Sequence, residues 1–291
     1  MRKKTSTVIG ITAAAAMLSV STARAEILVP LERYPMSKAR FTMQIYGAHD
    51  TSSPWLSSQS FSVYDNSGQL QSSEPWSHEQ INEDNQSVSH SLVMNSISLR
   101  LSYRVWDNLS LWAGIGTTNF THEETFRDDN ELSSSTFSKN MVPIYSGGLG
   151  YGYAFTDRLF VSAQPGVRYA NSDNMTTEVY YQGKTIPLRD LSLNRRYLEW
   201  AVPVVAGYAL GNFVPYAGIL YKDYTMKDRY EFTKTYAGED YIVRIDETFH
   251  ARHKLYALAG VNYFLADNIS LGVNGSFGKR QSVQLQFNIS F

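Results

Sequence analysis

One stretch of strictly alternating apolar and polar residues constrains the fold of this chain more than any other feature. Residues 96–105 read SISLRLSYRV, so every second side chain is apolar and the side chains between them are serine or arginine. Successive side chains of a β-strand point to opposite faces, and the stretch therefore predicts a strand with one apolar and one polar face. A soluble sandwich also contains such strands, so the number of repeats decides the fold.

The same alternation recurs along most of the chain. It predicts ten strands of about 9–11 residues or more, long enough to cross a membrane at a tilt. A closed barrel is the only sheet that pairs every backbone group in lipid. We therefore expect an all-β fold, a closed antiparallel transmembrane β-barrel. The ten strands lie near residues 38–48, 92–106, 109–117, 143–155, 159–170, 195–210, 213–222, 251–265, 269–277 and 282–291.

The connections between these strands differ in length. Short links with turn residues predict periplasmic turns, and long polar segments predict external loops. Twelve strands would need a membrane hairpin through Phe61–Tyr64, a run too short for that. Two hairpins are expected inside the long loops, Met175–Tyr181 with Thr185–Leu188 and Tyr230–Tyr236 with Tyr241–Ile245. The long segments are 49–91, 118–140, 171–194 and 223–250, and the short links lie at 107–108, 156–158, 211–212, 266–268 and 278–281.

The first 25 residues have the pattern of a secretory signal peptide. A basic start, an apolar core and the small-x-small site Ala23-Arg24-Ala25 follow one another. Residues 1–25 are thus the expected signal and 26–291 the expected barrel domain. The absence of cysteine excludes a disulfide-stapled fold. Four of the 26 basic residues lie in the signal, so the mature chain carries 22 basic and 27 acidic residues, a net charge of −5 that disfavours nucleic-acid binding.

Three segments and the C-terminus carry a family resemblance. WDNLSLWAGIG, FTDRLFVSAQPG and LADNISLGVNGSFG each place a turn before a strand, and the chain ends QLQFNISF. These features resemble the turns and the C-terminal assembly signal of Gram-negative outer-membrane β-barrels, with Phe287, Ile289 and Phe291 in the signal positions. The resemblance implies a monomer in the cell outer membrane, in contact with lipid and lipopolysaccharide, that the barrel-assembly machinery inserts.

The polar faces of the predicted strands carry many bases and one clear acid, Glu199. Segment 49–91, in contrast, carries six acids and no lysine or arginine. Buried charges need partners, so the loop acids can fold inward and plug the lumen; this is our first expectation, because small barrels are mostly filled by side chains. The alternative is a narrow path that favours anions. The predicted lumen-lining bases are Arg40, Arg100, Arg104, Arg168, Lys222, Arg252 and Lys254.

A glycine stripe on one predicted strand has a structural explanation. Gly148, Gly150 and Gly152 share an inward face, where they leave space for large lumen groups such as Trp112 or the arginines. A nucleotide loop is excluded, because the GxGxxG pattern would need glycine in place of Tyr153 and a following helix.

The sequence contains no catalytic or metal-binding spacing that we recognise. The six histidines lie in loops or at outer strand ends, where solvated side chains are expected. An omptin-type protease would need two Asp residues separated by one residue and an Asp-x-His sequence. The chain instead has the adjacent pair Asp128-Asp129 and an Asp246 that lies four residues before His250. A lipid-modifying enzyme would need a serine two residues from His253, and the sequence has none there. The acids at 123–131 fit no calcium loop. We therefore expect no enzyme, no cofactor and no metal.

The sequence thus predicts an integral outer-membrane barrel that acts as a surface-exposed interaction or structural protein through long acidic loops. Tyr230, Tyr236 and Tyr241 are the predicted contact residues for an extracellular ligand or a host or phage surface, because tyrosine offers a large apolar area with one polar group. The alternatives are a small-solute pore that prefers anions and a hydrolase, omptin-like or lipid-modifying, at the rim.

Overall fold

The computed structural model describes residues 40–128, 131–181, 184–186, 191–278 and 282–291, so the predicted signal peptide lies outside the described residues. The described residues include one helix, α1 (His78–Ser87), and sixteen strands. The strands are β1 (Phe41–Ser52), β2 (Pro54–Tyr64), β3 (Leu70–Pro75), β4 (Val88–Trp106), β5 (Leu109–Asp128), β6 (Glu131–Ala154), β7 (Leu159–Ala163), β8 (Gly166–Ser172), β9 (Thr176–Tyr181), β10 (Lys184–Ile186), β11 (Ser192–Tyr208), β12 (Phe213–Tyr236), β13 (Glu239–Ala251), β14 (Leu255–Ala266), β15 (Ile269–Phe277) and β16 (Ser282–Ser290).

Ten strand positions form a closed antiparallel ring, which confirms the predicted fold class. The order around the ring is β1, β4, β5, β6, β7 with β8, β11, β12, β14, β15 and β16. β16 pairs back with β1 from Thr42↔Ser290 to Asp50↔Ser282, so the ring has no free edge. β7 and β8 are one strand position that is interrupted at Gln164 and Pro165, because proline has no N–H for the ladder.

The outward side chains of the ring form an apolar band. On β4, residues Ile97 to Val105 alternate between exposed apolar side chains and buried serines and Arg100. The band ends where outward side chains become polar, at Asn95, Asn119, Asn171, Arg196 and Asp223. At the other end it meets exposed aromatics beside the short turns, Trp106, Phe155, Tyr208 and Phe213. We call these two ends the outer end and the turn end.

The strands continue well past the apolar band, and here the sequence prediction was wrong. Segment 118–140 was expected to be a loop, but β5 and β6 run into it from both ends. In segment 223–250 the expected hairpin of Tyr230–Tyr236 with Tyr241–Ile245 is present, and β12 and β13 extend its pairing back to Thr225 and His250. Pairing continues because the inward side chains above the band are apolar and form a core there. β12 with β13 forms the second predicted hairpin. Of the first, β9 pairs with β10 through Lys184–Ile186, and residues 187–188 lie outside the described residues.

The outer end carries an additional sheet. β2 continues β1 and pairs with β13, and β3 pairs with β2, so β3, β2, β13 and residues 225–236 of β12 form a four-stranded layer that we call the rim sheet. Phe61–Tyr64 therefore lies in the rim sheet and adds no strand to the ring. Helix α1 begins at a capping box of Ser77 and Gln80 and buries Ile81. In the described ranges, α1 included, no helix is long and apolar enough to cross a membrane.

The two larger apolar clusters among the described residues lie in the barrel interior at different depths. The outer core lies above the apolar band, and the inner core lies toward the turn end; polar side chains occupy the layer between them. The outer core contains Leu56, Ile81, Leu92, Met94, Phe120, Phe137, Val142, Ile144, Ala170, Met175, Leu193, Tyr197, Tyr224, Met226, Tyr230, Phe249 and Ala251. The inner core contains Phe160, Ala201, Val205, Val214, Tyr216, Leu220, Tyr256, Leu258 and Phe264.

Candidate functional site

An ionic network crosses the lumen in the polar layer. Lys222 on β12 donates to Asp50 on β1 and lies 3.7 Å from Glu199, which also pairs with Arg168 at 3.2 Å. The hydroxyl of Tyr197 donates to the same Glu199 carboxylate at 2.6 Å. Because β12 and β1 are not neighbours in the ring, the contact between Lys222 and Asp50 spans the interior. The network therefore crosses the lumen at this depth.

A second lumen contact explains one glycine of the stripe, Gly148. The Arg100 guanidinium lies 3.7 Å over the ring of Trp112 and donates to Gln164 Oε1 at 3.0 Å. The Trp112 ring in turn lies against Gly148 and Gly166, where a Cβ would stand 2.7 Å and 2.2 Å from it. The small residues make room for Trp112, as the sequence predicted.

Three of the seven predicted lumen-lining bases, Arg100, Arg168 and Lys222, are buried inside the barrel. Arg104 is half-buried at the turn end, near Asp107. Arg40 is exposed just before β1, so its placement in the lumen was wrong.

Arg252 and Lys254 do not line the lumen either. Both lie in the break between β13 and β14, where the alternation of inward and outward side chains shifts. Arg252 lies over the ring of Trp55 at 4.7 Å, and Lys254 pairs at 2.7 Å with the outward Asp223. The sequence prediction assumed that the alternation continues without interruption through this break, and it therefore assigned both side chains to the wrong face.

The acids of segment 49–91 close the lumen less than expected. Asp50 pairs with Lys222, but it does so from within β1. Asp65 accepts hydrogen bonds from Ser67, Gln69 and Gln71 in its own turn. Glu74, Glu79 and Glu83 are exposed. Among the described residues, two acids of this segment thus reach the barrel interior: Asp50 in the ionic network and Asp84, which lies beside His90.

A group of ionisable side chains, which we call the rim cluster, lies inside the barrel above the apolar band. It comprises Asp84, His90, His122, Glu124, Arg195 and Asp228. His90 faces Asp84 and Glu124, each at 3.6 Å, and its ring stacks on that of His122 with centroids 5.8 Å apart. His90, His122 and Glu124 could hold a metal ion, because one ligand atom from each lies within 4.8 Å of the other two.

The two histidines of the rim cluster have opposite electrostatic environments. Burial alone would lower the pKa of His90, but the carboxylates of Asp84 and Glu124 outweigh it and raise the pKa to about 9. Burial, Arg195 and His90 together hold the pKa of His122 well below its ordinary value. We therefore expect His90 to be charged and His122 to be neutral at pH 7.

Arg195 joins the rim cluster across the lumen. Its guanidinium binds Asp228 through two nitrogens, with Nε at 2.8 Å from Oδ1, and donates to His122 Nδ1 at 2.8 Å. β11 and β5 are separated by two strand positions in the ring, so this contact spans the interior as well. Both Arg195 and His122 are fully buried.

The burial of His90 and His122 corrects the expectation that the histidines are solvated. A signal for it was present in the sequence, since His90 shares its parity with Leu92 and Met94, and His122 with Phe120. Of the enzyme candidates, Asp246 pairs with exposed Arg229, and His250 Nδ1 lies 3.4 Å from Thr225 Oγ1; Asp129 lies outside the described residues.

The predicted contact tyrosines occupy different environments. Tyr230 is only 7% exposed and packs edge-on against Phe137, so its assignment to a contact surface was wrong. Tyr236 is 72% exposed at the tip between β12 and β13, and Tyr241 donates to Glu239 at 3.0 Å. At the C-terminus, Phe287 and Ile289 point outward, and Phe291 exchanges backbone hydrogen bonds with Phe41.

Glu247, next to the rim cluster, predicts a pH dependence of stability. Burial, with the charges of Glu124 and Asp228, raises the pKa of its carboxyl from 4.5 to about 8. Between these values the folded chain holds a proton that the unfolded chain releases, so stability falls as pH rises through 8. We expect Glu247→Gln to reduce the loss of unfolding free energy between pH 5 and pH 9, measured by denaturant titration at each pH. Glu239→Gln, at the exposed hairpin tip, is the matched control; an equal reduction in both variants would contradict this assignment.

Comparisons with known proteins find similar folds only. No protein-family model matches the sequence, and no curated protein matches it. Among solved structures, OmpT, the outer membrane protease of Escherichia coli, shares 10% identity at a TM-score of 0.47, over 89% of this chain and 100% of that one. OprG of Pseudomonas aeruginosa shares 11% identity at a TM-score of 0.39, over 87% of this chain and 98% of that one. Ail of Yersinia pestis, the attachment invasion locus protein, shares 10% identity at a TM-score of 0.24, over 75% of this chain and 99% of that one.

The geometry of the chain itself establishes its architecture. A closed ring of antiparallel strands, an exposed apolar band and aromatic side chains beside short turns are the features by which a β-sheet spans a membrane. The chain therefore has the fold of a closed, antiparallel transmembrane β-barrel of about ten strands.

Proposed function

We propose that this chain is a non-enzymatic surface interaction protein, which contacts an extracellular ligand through the part of the barrel that projects beyond the outer membrane. The observation that supports this most directly is that contacts between non-neighbouring strands cross the lumen at several depths. Lys222 contacts Asp50 in the polar layer, and above it Arg195 contacts His122 and Phe137 contacts Tyr230. A filled interior leaves the projecting surface as the part available for function.

The rim sheet and α1 offer a surface suited to binding. All six residues of β3 are exposed, and within the described residues β3 pairs with β2 alone, so one edge of the strand is open to a partner. Glu74 on β3 and Glu79 and Glu83 on α1 are exposed on a segment without lysine or arginine. Acidic side chains beside an open strand edge suit an extended ligand that carries basic groups.

The hairpin tip between β12 and β13 adds an aromatic contact. It lies beside the tip between β2 and β3, since Ile242 pairs with Tyr64 and Tyr236 with Glu239. Tyr236 at this tip is the exposed member of the predicted contact tyrosines, and it combines a large apolar face with one hydroxyl. We propose Tyr236 and Tyr241 as contact residues; Tyr230 is buried and is not one of them.

The experiment compares cells that produce the chain with cells that do not, on an array of immobilised proteins and glycans. We expect producing cells to bind selected spots, and binding to fall at least tenfold when Tyr236→Ser is combined with Glu74→Gln and Glu79→Gln. Lys227→Gln, an exposed charge on the outward face of β12, is the matched control. Surface exposure is checked with an antibody to an epitope tag. Equal binding by producing and non-producing cells would contradict the proposal.

A pore is the competing function, and the filled lumen makes a clear prediction for it. We expect the refolded mature chain to show no steady single-channel current across a planar bilayer under a salt gradient, because the network around Lys222 and the two apolar cores occlude the path. A steady current with an anion-selective reversal potential would instead favour the anion pore and assign Arg100 and Arg168 to its wall.

For assembly, we propose that the barrel-assembly machinery recognises the C-terminal strand through Phe287, Ile289 and Phe291. We also propose that the chain is a monomer and that lipopolysaccharide surrounds its apolar band. The outward position of Phe287 and Ile289 on β16 supports this, because outward side chains are the ones an insertion partner can reach.

A further inference from the structure

We propose that His90, His122 and Glu124 form a binding site for one divalent ion of the late transition metals, of which Zn²⁺ is the ion we commit to. The site lies inside the barrel above the apolar band, and it goes beyond the proposed surface interaction. Its existence can be tested on the purified chain without any knowledge of the extracellular ligand.

The strand register places the three side chains together. His90 on β4 is the direct antiparallel partner of Glu124 on β5, and Leu92 is the partner of His122. Side chains that are directly opposite or diagonal on one face of an antiparallel pair are within reach of each other. The ladder between β4 and β5 runs from Val88↔Phe126 to Trp106↔Leu109, so these positions are fixed by one of the longest pairings in the barrel.

The distances between the candidate ligand atoms match a metal site better than a hydrogen-bonded one. Glu124 Oε1 lies 3.6 Å from His90 Nδ1 and 3.8 Å from His122 Nε2. Both separations are too long for good hydrogen bonds. Ligand atoms that surround Zn²⁺ at about 2.0–2.2 Å in a tetrahedron stand roughly 3.3–3.5 Å apart. The three ligand atoms lie within 4.8 Å of one another, so an ion would draw the two imidazoles and the carboxylate closer together.

The histidine nitrogens that face this triangle have no other partner. His90 Nδ1 and His122 Nε2 are buried and make no hydrogen bond among the described residues. The side chain of His122 is fully buried, and that of His90 is nearly so. Buried polar atoms are normally satisfied, so two unpartnered nitrogens aimed at one carboxylate indicate a missing group between them.

The surroundings supply the outer contacts that metal ligands need. Asp84 Oδ2 lies 3.6 Å from His90 Nε2, the ring nitrogen that points away from the triangle, and a carboxylate in this position orients a ligating imidazole. Asp84, Glu124 and Asp228 bring three carboxylates to the cluster against one arginine, Arg195. The excess of carboxylates favours a divalent cation.

Arg195 sets a condition on the binding. Arginine only donates, so His122 Nδ1 accepts its hydrogen bond, and neutral His122 carries its proton on Nε2. An ion at Nε2 therefore replaces this proton, which either leaves to solvent or moves to Nδ1, 3.9 Å from Asp228 Oδ2, as Arg195 turns aside. At His90, the ion takes the place of the proton that the charged imidazole holds on Nδ1, and this proton leaves to solvent. Removal of the Arg195 charge should consequently strengthen binding.

Two imidazoles and one carboxylate select the class of metal. Imidazole suits Zn²⁺ and its neighbours, whereas Ca²⁺ and Mg²⁺ prefer oxygen ligands only. Glu124 and Asp84 retain about a fifth of their side-chain exposure, 22% and 20%, which gives an ion access from the outer end.

The test measures Zn²⁺ on the refolded, metal-stripped full-length mature chain in detergent. We expect one Zn²⁺ per chain in competition with a chromophoric chelator, and no displacement by a thousandfold excess of Mg²⁺. His122→Ala should abolish this binding, and Asp84→Asn should weaken it about 10–100-fold. His253→Ala, a histidine outside the cluster, is the matched control and should bind as the wild type does.

A second substitution, which preserves the packing, distinguishes loss of the metal site from loss of the fold. Glu124→Gln preserves shape at a partly exposed position and should still lose at least tenfold in Zn²⁺ affinity, while heat-shifted electrophoretic mobility shows a folded barrel. Co²⁺ in the wild-type chain should give the intense visible absorption of a tetrahedral site. No stoichiometric Zn²⁺ in the wild type, or retention of Zn²⁺ by both folded Glu124→Gln and His122→Ala, would overturn the proposal. Neither result bears on the surface-binding assay, so the two proposals fail separately.

Discussion

Replacement of Arg195 with methionine should lower the unfolding free energy of the barrel by about 3–5 kcal/mol, the cost of leaving a buried partner charge without compensation. Arg195 and Asp228 are both fully buried and joined through two nitrogens of the guanidinium. Without the arginine, the Asp228 carboxylate would remain in the outer core beside Met226 and Tyr230, where water cannot solvate it. His122 would lose the donor to its Nδ1 as well.

The measurement is a denaturant titration of the refolded chain in lipid vesicles, followed by tryptophan fluorescence. Arg229→Met is the matched control, because it lies on β12 one residue from Asp228 and removes an exposed ion pair with Asp246; the expected loss is within about 1 kcal/mol. The double variant Arg195→Met with Asp228→Leu should recover most of the loss, since it leaves no buried charge unpaired. Equal losses for Arg195→Met and Arg229→Met would show that the buried pair has no special role.

The part of the fold that lies in the membrane was predictable from the sequence, and the reason is visible on β4. There lipid covers one face and the polar lumen the other, so Ile97, Leu99 and Leu101 point out while Ser98 and Arg100 point in. The alternation keeps one sense for the whole span. A single rule, apolar out and polar in, therefore recovers all ten ring positions.

Above the apolar band the same strands reverse the rule. On β4 the inward residues become apolar at Leu92 and Met94, while outward Asn95 and Ser89 face water. The outside is now water and the inside a packed core, as in a soluble barrel. A reading that kept the membrane rule took residues 118–140 and 223–250 as loops, because their outward faces are polar. The point of reversal, near Asn95 and Ser96, marks where the strand leaves the lipid.

The rim cluster was beyond the sequence for a different reason. His90 and Glu124 meet because of the register between β4 and β5, and that register depends on the tight turn at Asp107 and Asn108, which follows β4 seventeen residues after His90. The contact between Arg195 and His122 depends on the width of the barrel. Neither the register nor the barrel width can be read from the spacing of the residues. The only sequence signal of burial was that the histidines alternate in phase with apolar neighbours on the same strand.

The largest effect on assembly is expected from Gly148→Val. A Cβ at Gly148 would stand 2.2 Å from the Pro165 carbonyl oxygen and 2.7 Å from both Gly166 Cα and Trp112 Cζ2. Two of these atoms belong to the backbone of the neighbouring strand, which cannot move without opening the ladder between β6 and β8. Overpacking in a core costs about 1–3 kcal/mol, and contact with the backbone of the neighbouring strand places this variant above that range.

We expect less than a tenth of Gly148→Val to fold in detergent, measured by heat-shifted electrophoretic mobility and circular dichroism. Gly47→Val is the matched control, because no atom lies within 4 Å of its Cβ position on β1, and a β-branched residue suits a strand. Combining Gly148→Val with Trp112→Ala separates the two causes of the clash. If the Trp112 ring alone were responsible, the double variant would fold; we expect it to remain unfolded, since the Pro165 carbonyl and Gly166 backbone still occupy the space. Recovery of the double variant would mean that the glycine serves only to accommodate Trp112 and that β6 and β8 could separate to admit a side chain.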